Sequence, residues 1–141
     1  MKSRSKELLD RAISAMVAAI EIYNKPGFPY RTESFTILAI NGWELLLKAK
    51  WLADHRNQER SLYVRETREN ADGKKSKKKY VKRTDAGNPF THSLSRLAKK
   101  LVEEEKLDSR AWQNIQLLLE LRDSAVHFYN QSPAFRVRLQ E

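Results

Sequence analysis

The stretch "QLLLELRDSAVHFYN", Gln116 to Asn130, sets an arginine inside a leucine run and a histidine five residues after it. At about 100° per residue, Ala111, Ile115, Leu118, Leu119, Ala125, Val126 and Tyr129 fall on one wide apolar arc, and Arg122 lies in its middle. This pattern predicts a core-facing helix, begun by Asp108 as N-cap and ended after Tyr129 by "QSP". Asp123 and His127 share the narrow polar side with Gln116, Glu120 and Asn130. Arg122 is expected to point inward, where burial is costly unless an anion and hydrogen bonds compensate it.

The search for that anion leads upstream to "FTILAINGWELLLKAKWLADH", a helix with Thr32 as its expected N-cap and apolar residues on nearly every side. Glu44 is the only acid between Phe35 and Ala53. Asn41, Glu44, Lys48 and His55 fall on one stripe of this helix, either a solvated edge or the wall of a site. Two readings stay open at this point. In one, Arg122 and Glu44 form an internal ion pair fixing the two helices, and His127 is a surface histidine. In the other, Arg122, Asp123 and His127 form a site, walled by Asn41, Glu44 and Lys48. An Arg and a His with four to six residues between them are expected about once by chance in a chain this rich in Arg, so the spacing alone does not choose.

The remaining pattern completes the expected fold. From Ser5 to Asn24, apolar residues recur at three-and-four spacing through Leu8, Leu9, Ala12, Ile13, Met16, Val17, Ile20 and Tyr23, and "KPGFPY" breaks that helix. A further helix is expected over Ser93 to Glu105. Between the second and third helices, "SLYVRET", "RENADGKKSKK" and "KYVKRT" read as an inserted β-hairpin or loop over 57–90 with a long basic tip. The expectation is therefore an all-α domain over 1–141, a bundle of four main helices carrying that insertion.

The net charge of the 141 residues is +9, but "KKSKKKYVKR" supplies six Lys and one Arg without an acid, and removing those seven charges leaves +2. Lys74, Lys75, Lys77, Lys78, Lys79, Lys82 and Arg83 are thus the candidate nucleic-acid contacts; the competing reading is a solvated tip. The absence of cysteine excludes thiol chemistry and thiolate metal sites. Histidines at 55, 92 and 127 lack a metal-ligand spacing, and neither a glycine-rich phosphate loop nor a Gly-x-Ser-x-Gly elbow occurs, so neither metal nor cofactor is expected. His92 reads as a capping-region residue, and His55 as a helix-end residue facing the last carbonyls. The N-terminal "MKSRSKELLDRAISAMVAAIEIYN" has no uninterrupted apolar core of a leader, no stretch is long enough for a membrane span, and a cytoplasmic location is the expectation.

"RDSAVH", Arg122 to His127, resembles the signature of the HEPN superfamily of all-helical domains: Arg, four to six residues, then His, with a polar residue early in the interval, on a late helix. The segment "AIEIYNKPGFPYRTESFTILAINGWELLLKAK" is similar to a bacterial group of that superfamily linked with defence against phage. The resemblance implies a metal-independent endoribonuclease acting as a homodimer, with Arg122 and His127 of two copies facing each other across a cleft and Asp123 orienting His127 or the phosphate's surroundings. It further implies RNA as partner, and an antitoxin or an additional C-terminal domain as a possible regulator. The alternative from a different class is a non-catalytic nucleic-acid-binding or dimerisation domain, which uses the same lysines without cleavage.

Overall fold

The helix that is apolar on nearly every side is the one around which the protein is built. The computed structural model describes residues 2–127, with Val126 and His127 described as backbone alone. Within them lie four α-helices, α1 (Arg4–Tyr23), α2 (Arg31–Asp54), α3 (Leu94–Glu103) and α4 (Ser109–His127), and an antiparallel pair of strands, β1 (Arg65–Glu69) and β2 (Lys75–Val81). A helix can be apolar all round only if neighbours surround it. Accordingly α2 packs against α1, α3, α4 and the 3-10 turn Glu59–Leu62, and buries Thr36, Ala39, Ile40, Gly42, Leu47, Ala49 and Leu52.

Helix α1 starts on Ser3, whose hydroxyl accepts from the Lys6 amide, and runs antiparallel to α2. The pairing is marked at one end by the Ser5 amide donating to Asn57 Oδ1 at 2.8 Å and at the other by the Tyr23 and Phe35 rings at 5.0 Å. Between these ends Gly42 lets Met16 lie directly on the α2 backbone. Helix α2 ends by two residues in the left-handed region, Arg56 and Asn57, and the Asn57 amide donates to the Leu52 carbonyl at 2.7 Å. Its start differs from expectation: Thr32 is not the N-cap. Tyr30 holds that position without a side-chain hydrogen bond, and the Thr32 carbonyl instead accepts from the Thr36 hydroxyl at 2.8 Å.

The insertion is a hairpin rooted at the C-terminal end of α2. Bridges Tyr63 to Thr91 and Arg83 to Pro89 close its base, with the His92 amide donating to the Leu62 carbonyl. Its tip is the turn Asn70–Gly73, where Gly73 takes φ +79° and the Asn70 amide donates to the Lys74 carbonyl at 2.7 Å. Most of the lysine tract is therefore strand β2 and not the tip. Lysine is a poor strand former, and three local features hold the strand: register from Arg65 opposite Val81, the Arg68 guanidinium 4.3 Å from the Tyr80 ring centroid, and Ser76. Ser76 Oγ accepts from the Arg68 amide and donates to the Lys78 carbonyl, stitching the irregularity between Thr67 and Glu69.

Helix α3 begins on Ser93, whose hydroxyl accepts from the Arg96 amide, and Asp108 accepts from the Arg110 amide at the start of α4. Lys106 reaches Asp54 Oδ2 at 3.0 Å, which ties the approach to α4 to the C-terminal end of α2. From there α4 runs back along α2. The core gathers Leu47, Leu52, Leu62, Leu94, Leu97, Leu101 and Ile115, and Trp112, Leu118 and Leu119 pack against it. No described helix is long and apolar enough to cross a membrane.

Candidate functional site

Arg122 lies on the same helical side as Ile115, seven residues earlier, yet Ile115 is fully buried and the Arg122 side chain is 45% exposed. The expectation that Arg122 points into the core is thus corrected, and of the two open readings the ion pair with Glu44 is not formed among the described residues. Helix α4 packs along α2 and, less extensively, on α3, and among the described residues neither covers the arc at Arg122. Leu121, on another side, is buried, and Ala125 on the arc is exposed. Arg122 Nε sits 3.5 Å from Asp123 Oδ1, both side chains open to solvent. Glu44 turns to its own helix neighbour, with Lys48 Nζ at 3.5 Å.

His127 is the last residue of α4 described. It stands five residues beyond Arg122, about 7.5 Å along the axis and about 140° round it. Its side chain, and the arc positions Val126 and Tyr129, lie outside the described side chains. Helices α1 and α2 also show uncovered apolar residues. Ile13, Val17 and Ile20 on the second half of α1 and Ile37 on the first half of α2 are about half exposed.

The stripe on α2 does not assemble as one wall. Asn41 is exposed, and Lys48 donates to Thr91 Oγ1 at 3.1 Å, toward the hairpin base. His55 behaves as a helix-end residue: its Nδ1 is 2.7 Å from the Trp51 carbonyl and its ring stacks on Trp51 at 4.5 Å.

Among the hairpin cations, Lys74, Lys75, Lys77 and Lys79 are exposed, and none of the seven tract cations enters an ion pair among the described residues. Three are engaged locally. Lys78 lies 5.3 Å from the Tyr80 ring, Lys82 lies 5.0 Å from the Phe90 ring, and Arg83 donates to the Gly87 carbonyl. The hairpin roots beside the C-terminal end of α2, whereas Arg122 is about 20 Å along α4 from that helix's start.

Two features escaped the sequence reading. His92 is a half-buried residue edge-on to Trp51 at 5.5 Å, its Nδ1 enclosed without a partner. Burial, and then the Arg96 charge, hold it below its ordinary value of 6.5, while the Ser61 backbone works the other way. The second is a cationic groove along α3, for which the only signal is Arg96, Lys99 and Lys100 at helical spacing. Among the described residues, no three His, Asp or Glu side chains converge as metal ligands would.

Comparison with known proteins gives one match. The family model described as "Domain of unknown function (DUF3644)" covers residues 7–141. Neither a curated protein nor a solved structure matches the chain.

Proposed function

The chain belongs to the DUF3644 family, and from its own residues we propose that it is a metal-independent endoribonuclease whose site is completed by a second copy of the chain. The carrying observation is the exposed pair of Arg122, on the apolar arc, and Asp123, on the polar side beside it, one turn before His127. An arginine engaged with Glu44 would have been a structural strut. An exposed one, on a bundle that also leaves Ile13, Val17, Ile20 and Ile37 uncovered, fits a cleft between two copies. The likeness of "RDSAVH" to the HEPN signature points to the same chemistry, and the reading extends to phage defence or a toxin-antitoxin role.

RNA carries its own nucleophile, so the protein needs a proton carrier and a cation at the phosphate. In this scheme His127 takes the proton of the 2′-hydroxyl, O2′ bonds to phosphorus, and the bond from phosphorus to O5′ breaks. The leaving O5′ takes a proton from solvent or from the second copy's site. The planar guanidinium of Arg122 steadies the phosphate oxygens, and Asp123 orients its neighbours. The products are a 2′,3′-cyclic phosphate and a 5′-hydroxyl. The exposed lysines of β2 supply non-specific grip on the backbone.

Arg122→Ala and His127→Ala test this reading. Each is expected to abolish cleavage of mixed RNA while keeping the helical circular dichroism of the parent. Cleavage persisting at the parental rate in both variants would refute it and leave a non-catalytic nucleic-acid-binding domain as the better description.

A further inference from the structure

Arg96, Lys99 and Lys100 stand at i, i+3 and i+4 on α3, so they project from one face with Cβ atoms about 5–6 Å apart. With Ser93, Ser95, Glu103 and Trp51 of α2 they line a groove of about 530 Å³. All three cations are exposed, and none enters an ion pair among the described residues, although Glu103 lies one turn on. The opposite wall is fixed. Trp51 Nε1 donates to the Ser61 carbonyl at 3.1 Å, and one ring face is held by the His55 stack at an interplanar angle of 15°. The N-terminal turn of α3, with Ser93 and Ser95, opens into the same groove and adds the positive end of the helix dipole.

A merely solvated helix face would have neither a concave surface nor an immobilised aromatic opposite its charges. We propose that this groove is a second binding site for the phosphate backbone of RNA, separate from the site at Arg122 and from the lysines of β2. Successive phosphates engage Arg96, Lys99 and Lys100, and Trp51 packs against a ribose or base. The choice of RNA rests on the ribonuclease reading.

The test uses a fluorescent 2′-O-methyl RNA of about twenty nucleotides, which cannot be cleaved by 2′-hydroxyl attack and so reports binding alone. In the full chain, the triple variant Arg96→Gln, Lys99→Gln, Lys100→Gln is compared with a control triple, Arg11→Gln, Lys25→Gln, Arg31→Gln, which removes the same charge from exposed positions elsewhere. With three phosphates no longer neutralised, the slope of log K against log salt falls by about 2 and affinity at about 0.15 M salt drops about fifty-fold, with a much smaller change in the control. Glu103→Gln, which removes the one anion lining the groove, tightens binding several-fold, a gain that misfolding cannot produce. Equal losses in the two triples, an unchanged slope, or a Glu103→Gln variant that binds no better would overturn the proposal. A chain that binds through the groove but never cleaves natural RNA would refute the ribonuclease reading alone.

Discussion

Gly42→Ala tests the close approach of α1 to α2. Gly42 lies in the middle of α2, where alanine is favoured over glycine by about 0.8–1 kcal/mol in helix propensity. Against this, a Cβ at position 42 meets Met16 Cγ at 2.8 Å, Sδ at 2.9 Å and Cε at 3.0 Å, all closer than real Cβ atoms ordinarily approach a neighbour. Met16 must change rotamer or α1 must move outward, and overpacking of this kind costs about 1–3 kcal/mol. The expected net effect is destabilisation by about 1 kcal/mol. In a Met16→Ala background the obstruction is gone, so the same Gly42→Ala change stabilises by about 1 kcal/mol, a coupling of about 2 kcal/mol between the sites. Urea denaturation of the four proteins, followed by circular dichroism with m-values compared, measures both effects. A Gly42→Ala change that stabilises equally in both backgrounds would show that α1 does not rest on α2 at this point.

Because Arg122 is exposed and not paired with Glu44, Arg122→Ala should change unfolding free energy by no more than about 0.5 kcal/mol; a loss of about 3 kcal/mol or more would restore the buried-pair reading. Replacing Lys74, Lys75, Lys77, Lys78 and Lys79 with glutamine should lower the salt slope of RNA binding by about 3.5 if each neutralises one phosphate, without loss of helical signal, and an unaltered slope would make β2 a solvated strand only. His92 is held below 6.5 by burial and by Arg96, so its contribution to stability is present above that unfolded value and is lost as pH falls through its lower folded value. Thermal melts from about pH 7.5 to about pH 5 should show this loss and His92→Gln should flatten it; identical profiles would place the titration elsewhere.

Where the periodicity of apolar residues governs structure, the sequence was legible. The spans of α1 and α2, the place of the insertion and the start of α4 follow from spacing, from "KPGFPY" and from the Asp108 cap. The apolarity of α2 on nearly every side matches the neighbours that surround it. The environment of Arg122 was not legible, because periodicity reports the angle of a residue round a helix and says nothing of how far the covering helix extends. The strand character of the lysine tract depends on pairing with β1 and on the Arg68–Tyr80 contact, both of which override the weak strand preference of lysine. Trp51 and His92 meet across some forty residues of sequence, and the α3 groove takes Trp51 of α2 as one of its walls, neither of which spacing along the chain reveals.

The central claim is that this chain breaks RNA by 2′-hydroxyl attack without a metal. It is tested most directly by incubating the purified protein with mixed RNA in EDTA and identifying the chemistry of the fragment ends. The account predicts fragments carrying 2′,3′-cyclic phosphate and 5′-hydroxyl ends, formed by the parent chain and absent with His127→Ala. Intact RNA under these conditions, or fragments with 5′-phosphate ends, would contradict it.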